Sequence, residues 1–237
     1  MALTCASLAL DVQALCGRTD DAVLVTTARV AEWLNEAQRE IAQKIPGLHA
    51  LTFKNTTSLD TTAVLAYSLS DITAGDYTTQ VIGDVWNVFY LDGNDSQCLH
   101  FVHTDEFDAN WPDPTDSDSV FGKPHHWTRR ANNIEMRPVC SSGYYDKDLR
   151  FDGWFYPRDF TGGDSTQCSD LSCADHLLKE YALGKAWEAI GEADGVAGAL
   201  LQAEKHQARY RDALDQYESR NNRLDAWDGD IFSSDIE

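Results

Sequence analysis

The hydrophobic positions of this 237-residue chain change period twice, and the changes divide it into helical, β-rich and again helical stretches. Residues 4–16 are spaced as a short helix that Gly17 stops, with Asp20 and Asp21 in the loop that follows. In TTARVAEWLNEAQREIAQKIPG, residues Val30, Trp33, Leu34, Ala37, Ile41 and Ile45 recur at steps of three and four. That spacing makes one apolar stripe and predicts an amphipathic helix. Thr26 or Thr27 caps its start, and Pro46-Gly47 stops it.

From about residue 50 the pattern shortens. LTFKNTTS, TAVLAYSLS, YTTQVIG, VWNVFYLD and QCLHFVH are short runs rich in Val, Thr and aromatic residues. Ala74-Gly75-Asp76 and Asp92-Gly93-Asn94-Asp95 lie between runs as turns, so the region predicts antiparallel strands. Apolar residues fall on both faces of VWNVFYL, which predicts a strand buried on both sides. TDEFDANW interrupts the region with one helical turn capped by Thr104, and PDPTDSDS reads as an exposed loop. HHWTRR and NIEMRPV follow as two strands joined through Ala131-Asn132-Asn133. LRFDGWFYP is the last strand before Gly162-Gly163 opens a flexible loop.

The helical period returns at residue 172. Ser172 with Asp175 resembles a capping box, and helix 173–190 ends at Gly191. Asp194 caps a second helix running to about residue 220, with apolar positions Val196, Leu200, Ala203, Tyr210, Leu214 and Tyr217. So short a connection implies an antiparallel pair. The tail LDAWDGDIFSSDIE has no helical period, five acids and no base, yet carries Trp227, Ile231 and Phe232. The expected fold is α+β: an antiparallel helix bundle of N- and C-terminal helices (residues 1–48 and 170–222), an inserted antiparallel β-module (49–169) and an extended acidic tail (223–237).

Charge and composition narrow the function. The 39 acidic and 19 basic residues leave a net charge of −20, which rules out a general phosphate-neutralising surface. Such acidity suits either a saline habitat or a wall past which DNA slides without sticking. No apolar run reaches the length of a membrane-spanning helix. MALTCASLALDVQALCG has no basic residue ahead of its apolar stretch, and Asp11 and Gln13 interrupt it, so it reads as an amphipathic helix and not a signal peptide. Of the six cysteines, Cys168 and Cys173 come nearest to metal spacing, but no second pair follows, so reduced thiols without zinc are expected.

The stretch GKPHHWTRRANNIEMRP, Gly122 to Pro138, is the most conspicuous candidate for chemistry. In a regular strand His125 and Trp127 share one face while His126 and Thr128 share the other, so the paired histidines point apart and cannot chelate one metal. His100 and His103 also face opposite ways. Arg129 and Arg130 alternate, and with Lys123 and Arg137 they are too few for a nucleic-acid patch. Carboxylate pairs such as Asp105 and Glu106 arise by chance among 39 acids, Cys140 has no base partner, and no nucleophile elbow or phosphate loop occurs. No catalytic residue, cofactor or metal is expected. Trp86, Phe89, Tyr90, Trp154, Phe155 and Tyr156 invite a sugar platform, but strand aromatics more often form a core or subunit interface.

The order of these pieces carries a resemblance. A WLNEAQREIA helix comes first, then a strand module with a helical turn around Phe107. A hairpin with Gly122, Pro124, Trp127, Asn132-Asn133, Ile134, Met136 and Pro138 follows. The helix pair in ADHLLKEYALGKAWEAIGEADGVAGALLQAEKHQARYRDAL closes the series. Over roughly residues 25–218 the chain resembles the head-to-tail adaptor (connector) proteins of tailed bacteriophages. The resemblance implies a structural virion subunit, not an enzyme. It implies a ring of copies, a dodecamer, attached below the portal protein at the capsid vertex and assembled in the host cytoplasm. The ring would extend the DNA channel and meet neck, stopper or tail proteins, with no membrane and no sequence-specific DNA contact. Trp227, Ile231 and Phe232 would then dock on the portal or on a neighbouring copy. A carbohydrate-binding β-module and a hydrolase with a carboxylate pair remain the competing readings.

Overall fold

The computed structural model describes residues 3–19, 21–45, 48, 51–58, 66–70, 72, 81–93, 95–112, 121–140, 147–161, 167–171 and 174–231. The fold is α+β, and the chain divides into two compact units, Met1–Leu51 with Pro157–Glu237 and Thr52–Tyr156. No described helix is long and apolar enough to cross a membrane.

The first unit is helical. Helix α1 (Cys5–Leu15) starts where Thr4 accepts a hydrogen bond from Ser7 N–H at 3.2 Å. Helix α2 (Thr27–Lys44) starts at Thr26, whose hydroxyl accepts from Arg29 N–H at 3.2 Å, so Thr26 is the cap. The α2 stripe is buried from Val30 to Ala42 and includes Trp33, Leu34, Ala37 and Ile41. Helix α4 (Asp175–Asp194) packs against α1, α2 and the long helix α5 (Ala199–Ile231). Its buried residues, among them Leu177, Leu178, Leu183, Ala186 and Ile190, surround the helix, as a central position requires. A Cβ on Gly184 would lie 3.2 Å from Gln207 Cγ, so α4 and α5 pack closely there.

Between Tyr156 and α4 the chain returns to this unit. Asn35 on α2 binds the Phe160 backbone twice: its Nδ2 donates to Phe160 O at 3.1 Å, and its Oδ1 accepts from Phe160 N–H at 2.7 Å. Gln38 Nε2 donates to Arg158 O at 3.2 Å, and Gln38 Oε1 accepts from Ser169 Oγ at 2.8 Å. Residues 157–161 and 167–169, expected within the β-module, therefore pack with the helices.

Several local expectations change. Helix α4 runs past Gly191 to Asp194, and Gly195 ends it in the left-handed conformation (φ +59°), so Asp194 closes α4 and caps no new helix. The N-cap of α4 is Ala174, without a side-chain bond; Ser172 lies outside the described residues. Val196 and Leu200, read as members of the apolar stripe, are exposed, while Ala203, Tyr210 and Leu214 are buried. The acidic tail is not extended over its first part: α5 continues through Ile231. Phe232 lies outside the described residues.

The second unit is β-rich. Strands β1 (Thr52–Ser58), β10 (Asp148–Phe155), β3 (Ile82–Asp92) and β4 (Asp95–Cys98) form one sheet in the order β1-β10-β3-β4. Strands β2 (Ala66–Ser68), β8 (Asn133–Arg137), β7 (His126–Arg130) and β5 (His100–Phe101) form a second in the order β2-β8-β7-β5. Strands β6 (Phe121–Gly122) and β9 (Val139–Cys140) pair alone. The unit is not wholly antiparallel: β5 with β7 and β6 with β9 run parallel. Helix α3 (Thr104–Asn110) packs on β7; its N-cap is His103, and Thr104 is already its first residue. Val88 and Tyr90 are buried while Trp86 and Asn87 are exposed, so β3 buries one face and not two.

The register between β3 and β10 shifts at Gly153 and again at Trp154. A Cβ on Gly153 would meet Asp84 O at 2.2 Å, and one on Gly83 would meet the Trp154 ring at 2.6 Å. Bulges of this kind need glycine because backbone and ring occupy the space of a side chain. A Cβ on Gly122, by contrast, would only touch Pro138 at 3.5 Å. Gly153→Ala is expected to cost about 3 kcal/mol in denaturant unfolding, and Gly122→Ala less than about 0.5 kcal/mol.

Candidate functional site

The hairpin of β7 and β8 is two-faced, and pairing decides which side chains meet. His126 lies opposite Arg137, Thr128 opposite Glu135 and Arg130 opposite Asn133. Trp127 and Met136 pair on the other face, as do Arg129 and Ile134. Trp127, Ile134 and Met136 are buried, as is Pro124 ahead of them. Pro138 is half-buried and follows a cis peptide bond. The turn is Ala131–Asn132 and not Asn132-Asn133, since Asn133 already pairs with Arg130. Ala131 takes a left-handed conformation (φ +52°), which a Cβ disfavours.

Helix α3 covers the polar face. The Arg130 guanidinium pairs with Asp108 of α3 and, at 3.1 Å, with Glu135. The Arg137 guanidinium stands 5.3 Å from the Phe107 ring and donates to Met136 O at 2.8 Å. It is only 3% exposed, and its Nε has no partner among the described residues. Burial pushes the Arg137 pKa below its ordinary value, against the pull of Glu135 and Asp108, yet a guanidinium keeps its proton. The Phe107 ring face supplies part of the missing solvation.

The His126 ring lies 5.1 Å from Trp111, tilted by 45°, and 6.0 Å from His100, edge-on. His100 and His126 meet because β5 and β7 pair in parallel, which no linear spacing foretells. Burial holds the His126 pKa below 6.5, helped by the charges of His100 and His125 and opposed by Glu106. His125 points elsewhere, its Nδ1 3.0 Å from Gln97 Nε2. No set of three histidine, cysteine or acidic side chains among the described residues converges as a metal site.

On the other face, Arg129 pairs with Asp84 and donates to Gly83 O at 3.1 Å and to Ala131 O at 3.2 Å. Beside that pair an open groove of about 590 Å³ is lined by Asp84, Val85, Trp86, Phe101, Trp127 and Arg129. Trp86 is 43% and Phe101 50% exposed, and the Phe101 and Trp127 rings meet edge-on at 4.9 Å. The sequence places Trp86 with the core or an interface and does not single out Phe101; Gly153 in the interior of the facing strand is a sign of the bulge that turns Trp86 outward.

In the helical unit a smaller hollow of about 260 Å³ is lined by Glu40, Tyr181, Lys185, Gln207, Tyr210 and Arg211. Burial, with Glu36 and Glu40 adding to it, pushes the Tyr181 pKa up to about 12, and burial pushes Tyr210 up as well. Both phenols stay protonated at neutral pH and offer no base.

Neither place assembles a nucleophile with a base, and Arg129 and Arg130 of the hairpin are engaged by Asp84, Asp108 and Glu135. A family model described as SU10 adaptor protein matches residues 3–231, which spans both units. The chain belongs to the SU10 adaptor protein family. This adaptor family is a structural one of bacteriophages and not a family of enzymes, so the chain is a virion component. The match ends where helix α5 ends, so it takes in Trp227 and Ile231 and stops short of Phe232. No curated protein matches the chain.

Two outcomes test the adaptor's hairpin. Ala131→Gly is expected to raise stability by about 1 kcal/mol in chemical denaturation, because glycine adopts the left-handed conformation at no steric cost. His126 takes up a proton less readily folded than unfolded, so its contribution is complete above the unfolded value near 6.5 and is lost as pH falls through the lower folded value. The urea midpoint should therefore fall between about pH 7.5 and about pH 5, and less steeply in His126→Gln.

Proposed function

We propose that this chain is the subunit of a head-to-tail adaptor ring, a dodecamer, that attaches below the portal, extends the DNA channel and joins the capsid to neck, stopper or tail proteins. The observation that carries the reading is the family match across residues 3–231. The net charge of −20 supports it, since a channel wall that repels phosphate lets DNA pass without binding. The arginines of the hairpin support it too, because Arg129 and Arg130 are spent on Asp84, Asp108 and Glu135 and are not offered to phosphates. In this reading the helical unit forms the ring wall, and the β-rich unit projects outward or toward the tail. The hairpin residues Gly122, Pro124, Trp127, Ile134, Met136 and Pro138 set the shape of that unit. The end of the chain, with Trp227, Ile231 and Phe232, docks on the portal or a neighbouring copy. Assembly takes place in the host cytoplasm.

The exposed rings of Trp86 and Phe101 favour one alternative, a carbohydrate-binding module. The purified chain mixed with portal particles and imaged by cryo-electron microscopy separates the two. A twelvefold ring below the portal is the expected result; a free chain that binds glycans and ignores portals overturns it. Truncation of residues 225–237 should abolish attachment to the portal while the circular dichroism of the remaining helices persists, and unchanged attachment sinks the docking role of the tail.

A further inference from the structure

The helical unit carries two ladders of opposite charge. On α2, Glu32, Glu36 and Glu40 recur at steps of four and are exposed. On α5, Lys205, Arg209 and Arg220 are exposed at steps of four and eleven, with the neutral Gln216 between the last two. Such steps keep side chains on one edge of a helix. The ion pairs of α2 among the described residues are Arg39–Asp159 and Lys44–Asp215, so the three glutamates have no cation. Glu36 accepts a hydrogen bond from the Tyr181 hydroxyl at 3.3 Å. Those of α5 are Lys44–Asp215 and His206–Glu180, so Lys205, Arg209 and Arg220 have no carboxylate. Cations elsewhere in the unit are engaged: Arg18, Arg158 and Lys179 pair with acids, and Arg29 and Lys185 lie over Trp33 and Tyr181.

One copy does not join its own ladders. Helix α2 meets α5 through Lys44 and Asp215, 3.3 Å apart, and around the hollow that Glu40 shares with Tyr210 and Arg211. At about 100° per residue, Arg211 and Asp215 lie more than a third of a turn round α5 from Lys205, Arg209 and Arg220. The same contacts show that α2 and α5 run parallel, since later residues of one meet later residues of the other. With equal rise per residue, Glu32 and Glu36 stand level with about residues 203 and 207 of α5, within one turn of Lys205 and Arg209. A neighbour generated by rotation about an axis along these helices keeps those levels. Asp212, the exposed acid beside the basic edge, then falls near the level of Arg39.

We propose that α2 of one copy packs against the basic edge of α5 of the next, with Glu32 and Glu36 facing Lys205 and Arg209, so that copies of this chain join head to tail. Charge complementarity selects a second copy as the partner. Each chain carries both ladders, at matching levels and on edges that its own fold keeps apart. Chains with a net charge of −20 attract one another only where unengaged cations are presented. A polyanion such as DNA suits the basic edge alone and leaves the acidic ladder unmatched. The contact is heterologous, so it repeats from copy to copy and closes into a ring where the rotation permits. It rests on the ring reading for that closure, and the pairing of two copies is testable without it.

Zero-length carbodiimide cross-linking of ordinary and isotopically labelled full-length chains, mixed free and on portal particles, tests the contact. Mass spectrometry should find mixed-isotope links from Lys205 to Glu32 or Glu36. Two charge reversals, Glu32→Lys with Glu36→Lys and Lys205→Glu with Arg209→Glu, should each weaken self-association on the order of tenfold in analytical ultracentrifugation. The chain bearing all four substitutions should recover it, which a folding defect would not allow. Association of the unsubstituted chain should weaken as salt rises. Rings on the portal that lack these links, or that form equally well with either reversal, overturn the contact and leave the ring reading intact. Links and charge rescue without attachment to the portal overturn the ring reading and leave the contact standing. Absence of association both free and on portals, or failure of the fourfold variant to recover, overturns the proposal. Unchanged association with loss of DNA binding in the α5 reversal overturns it in favour of a nucleic-acid edge.

Discussion

Two amide side chains hold the helical unit closed across an insertion. Asn35 and Gln38, one turn apart on α2, bind the backbone of residues 158–160 and the Ser169 hydroxyl, where the chain comes back after the β-rich unit. Without that seam, α1 and α2 would meet α4 and α5 through apolar packing and exposed pairs such as Lys179–Asp11, Tyr181–Glu36 and Lys44–Asp215, across a long intervening loop. The entropy of closing such a loop grows only slowly with its length, so a few well-made contacts suffice to hold it. Gln38 is buried, and both ends of its amide are bonded, so removing a partner would strand a polar group in the core. Arg158 reinforces the seam through a forked pairing with Asp170, with Nη2–Oδ1 at 2.8 Å.

The same economy of polar groups shapes the β-rich unit. Three of its arginines, Arg129, Arg130 and Arg150, are engaged internally, by Asp84, Asp108, Glu135 and Asp152. That distribution is a physical fact about the folded chain, and no count of arginines in the sequence reveals it. The four cations Lys123, Arg129, Arg130 and Arg137 look alike in a linear reading of the hairpin, yet each ends in a different setting. Lys123 lies over the Tyr90 ring, Arg129 lines the groove, Arg130 ties α3 to the strands, and Arg137 is sealed under Phe107.

Long periodic segments were legible. The stripe of α2 from Val30 to Ile41, the alternation of Ile134 with Met136, and the order of helical and β-rich stretches all follow from burial on one face of a regular element. Element ends were less so. Helix α4 passes Gly191 because its C-cap is set by the left-handed Gly195, and α5 passes residue 220 without an apolar stripe. The parallel pairings of β5 with β7 and β6 with β9 were missed for a simple reason: the residues that meet belong to different strands, and their hydrogen bonds leave no trace in period. The groove followed the same rule, since it exists only where β4 leaves β3.

By itself the sequence determined the net charge, the class of fold and the buried stripe of α2, because these depend on composition and on the repeat of helix and strand. It also carried the order of elements by which the family is recognised. Tertiary structure decided which polar groups are spent on one another and which aromatic rings stay in water. His126 faces His100 instead of His125, and Trp86 turns outward at a bulge, because pairing between strands sets those neighbours. Local spacing cannot supply them, since the partners lie on other strands and are brought near only when the sheets close.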